Sequence, residues 1–310
     1  MEATQESTQP CADPRRMGLN NSGLQEQDLA DIICILHPNS HAAHNAVAAT
    51  AASGNQHILQ RDILDYETSD TAALDVALRL SSNVHDLGSG FCFGRNKARC
   101  DILLAGDDEA KRVSNNHFRI YLTGDGIIML QDTSTNGTIV DNCRLRKTQK
   151  ENSRMLTNGS VIQVVTGNHS SDEVRFVVRI PAREGFAMQY TQNILHYFER
   201  LQRVVAGAAH NKTRHSSHQP ILSSSVNTYG MHWEGGAMYN VTGQIGKGAF
   251  ATVYKLATKQ HGAIYAAKEL DKRRFMKNGI LDQKVDNEMK IMRDLTHVSR
   301  TCFCLDVHRD

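Results

Sequence analysis

Between residues 74 and 180 the apolar positions recur in short runs. The segments VALRLSS, FCFG, DILL, HFRIYL, IIML, TIV, VIQVV and VRFVVRI are each bounded by polar, turn-forming residues. Many short strands with this punctuation predict an all-β sandwich. The turns carry suitable chemistry: TGDG before Ile127, TNG at Thr135 to Gly137 and TNGS before Val161 supply residues that tolerate a left-handed backbone. The period then lengthens. Met188 to Ala209 spaces Ile194, Leu195, Phe198, Leu201 and Val205 at helical intervals, with Gly207 near the end, which predicts one amphipathic helix. Beyond Tyr239, ATVYKLAT and AIYAAKEL return to strand alternation and join through KQHG, the pattern of a hairpin.

Residues 1–70 are rich in Ala, Ser, Asn, Gln and His without sustained periodicity. That texture predicts a disordered arm, since it offers little apolar surface to offset chain entropy. One apolar patch, DIICIL at Asp31 to Leu36, interrupts it and reads as a transient hydrophobic cluster, with a short docking strand as the alternative. The organisation expected is an arm over 1–70, a β-rich unit over 71–182, a helix and flexible linker over 183–238, a second unit over 239–297, and a divergent tail over 298–310.

Charge and cysteine usage narrow the chemistry. Lys plus Arg number 35 against 33 Asp plus Glu, so no global field recruits nucleic acid or an anionic membrane, and neither is expected as a direct partner. The seven cysteines form no CxxC pair, which argues against a zinc knuckle or a disulfide framework and fits a reducing compartment. No metal-ligand cluster is expected. With no signal-like or membrane-length apolar run, the chain is expected to be soluble and not secreted.

Within the β-rich unit, FGR at Phe93 to Arg95, SNNH at Ser114 to His117 and DTSTNGT at Asp132 to Thr138 stand out together. In this combination they resemble the forkhead-associated domain, whose loops at one end of a β-sandwich hold a phosphothreonine peptide. The resemblance implies that Arg95 and Ser114 bind the phosphate, that Asn136 bonds the peptide backbone, that Asn115 lies beside the peptide, and that Thr135 lines the loop. His117 is implied as a scaffold brace. The residue types suit the task, because a doubly charged phosphate favours the planar donor fork of Arg over a Lys point charge. Arg112, two residues before Ser114, is a candidate for favouring an acidic side chain beyond the phosphothreonine.

The second unit carries Gly246-Lys247-Gly248 followed by Ala249-Phe250-Ala251, then Val253, Lys268 in YAAK and Glu288 in DNEMKIMRDL. These residues, in this order, resemble the opening of a protein kinase domain, so the expected fold class is an all-β sandwich followed by a partial α+β kinase small lobe. The resemblance implies ATP with magnesium as cofactor in the intact family. Ile245, Gly246, Gly248, Val253 and Lys268 would face the nucleotide, and Lys268 and Glu288 would form the family's ion pair. Ala251 replaces the third glycine of the family's loop. The last residues, His308-Arg309-Asp310, match the opening of the kinase catalytic loop, but the interval from Glu288 is too short for the intervening elements. Asp310 is therefore not carried over as a base, and a chain lacking the catalytic loop and the magnesium-holding DFG is expected to bind ATP poorly and to be inactive alone.

A forkhead-associated domain ahead of a kinase domain, with Thr-Gln pairs at Thr4 and Thr8, resembles the checkpoint kinases of DNA damage and meiotic signalling. That implies phosphothreonine-containing partners, nuclear residence (cytoplasmic otherwise), and self-association through phosphorylated Thr4 or Thr8. The leading expectation is thus a checkpoint-type serine/threonine kinase present as an incomplete chain. The alternative is a short phosphothreonine-binding adaptor or competitor without catalysis, and a weaker one is a pseudokinase scaffold.

Overall fold

Two sheets face each other across one apolar core, because nearly every strand of the β-rich region turns large side chains inward. The computed structural model describes residues 21, 24–54, 56–60, 74–105, 113–166, 173–208, 229–233, 235–277, 280–294, 296–297 and 300–301. In chain order the first part comprises α1 (Glu26–Asp31), β1 (Ile32–Pro38), α2 (His41–Ser53), β2 (Ile58–Gln60), β3 (Leu74–Arg79), β4 (Phe91–Gly94), β5 (Ile102–Leu103), β6 (Phe118–Leu122) and β7 (Ile128–Asp132). It continues with β8 (Thr138–Val140), β9 (Cys143–Leu145), β10 (Ser153–Met155), β11 (Val161–Val164), β12 (Arg175–Arg179) and α3 (Ala187–Ala208). One sheet has seven strands in the order β2-β3-β1-β12-β11-β8-β9, the other five in the order β10-β7-β6-β4-β5. Phe91, Phe93, Phe118 and Phe176 are the largest fully buried side chains, and Phe93 stacks on Phe118 with ring centroids 4.5 Å apart.

The anticipated arm is partly structured. Glu26–Asp31, Ile32–Pro38, His41–Ser53 and Ile58–Gln60 all form elements, and DIICIL after its Asp31 runs as a strand inside the larger sheet, between β3 and β12. The reason it looked like a mere cluster is that both of its faces are covered. Ile33 and Leu36 enter the main core, whereas Ile32 and Ile35 pack with Leu59 and Ala77 on the opposite face, so no alternation survives in the sequence. The alanine-rich stretch that follows is helix α2. Its Ser40 cap accepts the Ala43 N–H at 3.1 Å, and Ala42, Ala43, Ala46 and Val47 supply a flat face that sits close on the core. Buried Thr50 ties α2 to β5 by accepting the Leu103 N–H at 3.0 Å and donating to the Ala46 carbonyl at 2.9 Å.

Helix α3 forms over nearly the anticipated span but buries a shifted face. Tyr190, Ile194 and Tyr197 enter the core, while Leu195 is exposed. Asn193 donates to the Ala30 carbonyl at 2.9 Å and Arg200 to the Leu80 carbonyl at 2.7 Å, holding α3 against the sandwich. Arg183, just ahead of it, donates to the carbonyls of Ile32 and Ile33 and lies 3.7 Å from the Tyr190 ring centroid.

The second part is a three-stranded antiparallel sheet, β13 (Tyr239–Lys247), β14 (Ala251–Thr258) and β15 (Ile264–Leu270), followed by α4 (Lys272–Phe275), β16 (Met276–Lys277), β17 (Ile280–Leu281) and α5 (Gln283–Asp294). Its β14–β15 turn rests on the five-stranded sheet of the sandwich. Ala257 joins Ile127, Met129 and Met155 in one apolar cluster, the Met155 N–H donates to the Lys259 carbonyl at 2.6 Å, and the Ser153 hydroxyl donates to the Gln260 carbonyl at 2.8 Å.

Candidate functional site

Three loops meet beside the end of β4, and their contacts explain why the motif residues must be of these types. At the end of β4, Gly94 allows the Ser114–Asn116 loop to lie against the strand: a Cβ there would collide with the Asn115 carbonyl and come within 2.9 Å of Cys100 Sγ. The backbone then zips the loops together. The Arg95 N–H donates to the Ser114 carbonyl at 3.2 Å, and the Asn96 N–H to the Asn115 carbonyl at 3.3 Å. The Arg95 side chain is steered by its Nε, which donates to Asn115 Oδ1 at 3.0 Å.

The third loop is shaped by a buried carboxylate. Asp132 accepts hydrogen bonds from the Ser134 N–H (3.2 Å), the Ser134 hydroxyl (2.8 Å) and the Thr138 hydroxyl (2.7 Å), so it arrives fully partnered from both ends of the turn. Ser134 Oγ in turn accepts the Gly137 N–H at 2.7 Å. Gly137 has φ +100°, and a Cβ on it would approach the Leu145 carbonyl to 2.7 Å, so only glycine serves here. Thr135 is joined to the second loop, its N–H donating to Ser114 Oγ at 3.2 Å. The Asn136 carbonyl accepts Arg144 Nη2 at 2.9 Å.

His117 bridges all of this from beneath. It is fully buried; its Nδ1 accepts the Ser114 N–H at 3.3 Å, which leaves the proton on Nε2 to be donated to the Gly137 carbonyl at 3.2 Å. Burial pushes the imidazole below the usual histidine value, against the weaker opposing effects of the Gly137 carbonyl and Asp132. A neutral ring is what the arrangement needs, because a protonated one would turn an N–H toward the Ser114 N–H. Cys100 is a second brace, one with no signal in the sequence. Its thiol donates to the Asn115 carbonyl at 3.0 Å, and burial pushes its pKa up to about 12, so it keeps its proton.

The structure thus brings Arg95, Ser114, Asn115, Thr135 and Asn136 to one loop cluster. Arg144 was not anticipated as part of it; only its place on the strand next to β8 reveals it. Arg112 lies outside the described residues, as do Thr4, Thr8 and Asp310.

In the second part, strand register sets Gly246 opposite Val253, and Val253 opposite Lys268. Three residues far apart in sequence therefore line up across the sheet. The Gly248 N–H donates to the Ala251 carbonyl at 2.8 Å, closing the turn between β13 and β14, and Ile245 and Phe250 are exposed at 60% and 65%. Lys268 Nζ reaches Glu288 Oε1 on α5 at 2.7 Å, with the two side chains 39% and 48% exposed. So open an ion pair contributes little to stability. Its consequence is geometric: the Lys268 ammonium is turned toward α5 from the register row that holds Val253 and Gly246.

Residues 91–165 match the family model of the FHA domain. Among curated proteins the chain is similar to the serine/threonine-protein kinase RAD53 of Saccharomyces cerevisiae, with 31% identity over 205 residues, which is 66% of this chain and 23% of that protein. It is also similar to the serine/threonine-protein kinase cds1 of Schizosaccharomyces pombe, with 26% identity over 238 residues, 73% of this chain and 41% of that protein. The chain therefore spans less than half the length of either relative. Among solved structures it is similar to the N-terminal FHA domain of S. cerevisiae Rad53p in complex with a phosphothreonine peptide, at 37% identity over 29% of this chain and 67% of that one, with a TM-score of 0.25. It is also similar to Rad53 1-466 in complex with AMP-PNP, at 24% identity over 70% of this chain and 45% of that one, with a TM-score of 0.34.

Proposed function

From a chain that carries a forkhead-associated domain and is homologous to the Rad53 and Cds1 checkpoint kinases, we propose a phosphothreonine reader joined to the nucleotide lobe of a serine/threonine kinase. One observation carries this reading. Arg95 stands at the junction of three interlocked loops, its Nε held by Asn115 and its guanidinium without a carboxylate partner among the described residues. A guanidinium so placed has its terminal N–H groups free for the two-pronged grip that a phosphate accepts. Ser114 adds a hydroxyl beside it, and Asn136, Thr135 and Asn115 surround the position with amide and hydroxyl groups suited to a peptide backbone.

The test uses the full chain with matched phosphothreonine, phosphoserine and unphosphorylated peptides in fluorescence anisotropy. Selective binding of the phosphothreonine form, lost in Arg95→Ala, is expected. Equal affinity for the three peptides would overturn the reading. Phosphorylated Thr4 and Thr8 are ligands to include, since their capture would join two copies of the chain and raise local concentration.

The nucleotide half of the proposal rests on the Lys268–Glu288 pair beneath the Gly246–Gly248 turn. When bound, ATP with magnesium would supply the phosphoryl group for transfer. The part of this chain is to hold the phosphates against the Gly246–Gly248 backbone and Lys268, with Ile245 and Val253 offering apolar surface to the base. Because binding without the rest of a kinase domain is expected to be weak, ATP in large excess should raise the melting temperature of the wild-type chain only slightly, and that of Lys268→Ala not at all. An equal shift in both would refute the assignment. Nuclear action in DNA damage or meiotic signalling follows from the same proposal.

A further inference from the structure

The loop that presents Asn136 is backed by a short edge strand carrying two more guanidinium groups. β9 alternates Arg144, Leu145 and, just past its end, Arg146, with Leu145 buried and both arginines exposed. Register sets Arg144 opposite Ile139, one residue from Thr138 where β8 leaves the Asn136–Gly137 turn. The fit is close. A Cβ on Gly137 would meet Arg146 Cγ at 3.3 Å and Arg144 Nε at 3.4 Å, and Arg144 Nη2 already donates to the Asn136 carbonyl at 2.9 Å.

Neither arginine has a carboxylate partner among the described residues. Elsewhere in the chain exposed arginines do find one, as Arg203 does with Glu199 and Arg274 with Asp271. Among the described residues Arg95, Arg144 and Arg146 are therefore cations without an ion-pair partner, linked through Asn115, the Ser114–Thr135 contact and the Asn136 turn. Like charges gathered this way repel one another, and an anionic ligand spanning the turn would relieve that repulsion.

We infer that Arg144 and Arg146 extend the phosphopeptide site, reading a second anionic group, an acidic side chain or another phosphate, on the Asn136 side of the phosphothreonine. The inference rests on the phosphothreonine reading above and adds a specificity that Arg95 alone does not give. Arg144 has a double part, since one of its N–H groups also fixes the Asn136 carbonyl. Arg146 makes no such bond and acts through charge alone.

The experiment measures the affinity of the full chain for a phosphothreonine peptide with neutral flanks, for the same peptide with Asp scanned through the flanking positions, and for versions with a second phosphoserine. At one position Asp should tighten binding about three- to tenfold, with the second phosphate at least equalling it. Arg144→Gln/Arg146→Gln should abolish that gain, and Arg146→Gln alone should reduce it while leaving neutral-peptide affinity within about twofold. Three results would overturn the inference with phosphothreonine binding intact: indifference to Asp at every position, a gain that persists in the double variant, or equal losses on neutral and acidic peptides, which would make Arg144 a clamp only. Failure to bind any phosphothreonine peptide would instead overturn the reading beneath it. Comparing the Asp and phosphoserine arms identifies which anion the arginines prefer.

Discussion

Replacing His117 with Ala removes a side chain that bonds to two of the loops at once. Two groups lose their partners: the Ser114 N–H, now 3.3 Å from Nδ1, and the Gly137 carbonyl, now 3.2 Å from Nε2. Each buried group left unpaired costs about 1–3 kcal/mol. Deleting a fully buried ring adds a cavity, partly refilled by relaxation. Ser114 is only half-buried, so its N–H counts at about 1 kcal/mol; with about 1–3 kcal/mol for the Gly137 carbonyl and about 1 kcal/mol for the cavity the sum is about 3–5 kcal/mol, a large share of the roughly 5–15 kcal/mol available to an ordinary domain. Urea unfolding of the full chain followed by far-UV circular dichroism should show this as a lowered midpoint, and anisotropy should show phosphothreonine affinity falling with it. His117→Gln, whose amide carries both a donor and an acceptor, should recover part of each. A loss below about 1 kcal/mol with binding intact would refute the bracing account. Acid should reproduce the defect. Because burial holds the folded His117 pKa below its unfolded value near 6.5, the unfolded chain binds the proton first as pH falls. The stabilisation is thus complete above about pH 6.5 and is lost as pH drops through the lower folded value.

Other changes test other joints. His57 is buried beside Phe91 with neither ring nitrogen hydrogen-bonded among the described residues, and burial lowers its pKa, so His57→Leu should stabilise the chain by about 1 kcal/mol and shrink its acid sensitivity, as read by melts at pH 5.5 and 7.5. A destabilised variant would show that the ring has a partner. Gly94→Ala should push the Ser114–Asn116 loop off β4, costing about 1–3 kcal/mol and weakening peptide binding at least as much as it weakens the fold; unchanged affinity would refute the close-approach role. Ala257→Asp places an unpaired carboxylate in the cluster with Ile127 and Met129 and should release the lobe from the sandwich. Hydrogen exchange across 258–264 should rise, and Trp233, the single tryptophan, reports on the lobe independently. Protection equal to wild type would mean that the contact carries no energy.

Much of this protein was legible without coordinates, because two of its features are local. Short runs between turn formers and the strict spacing of FGR, SNNH and DTSTNGT encode strands and loop chemistry within a few residues of each other. The sandwich could therefore be read from the strand runs, and the residues that gather at one loop cluster were implied by the resemblance those motifs carry. The β14–β15 hairpin followed from strand alternation in the same way, whereas the Gly246–Val253–Lys268 alignment came only with the strand register. Tertiary structure decided what depends on partners distant in sequence. β1 shows no alternation, because it is covered on both faces by segments that composition alone cannot bring there, and α2 uses alanines whose value is only that the core comes close. Tyr190 is buried and Leu195 exposed because the buried face of α3 is chosen by the surface it meets. Arg144 and Cys100 joined the site through a neighbouring strand and a neighbouring loop, contacts that arise only once the chain has closed on itself. Residue type and spacing determine which chemistry is present; burial and register, set by the whole fold, decide which of it works together.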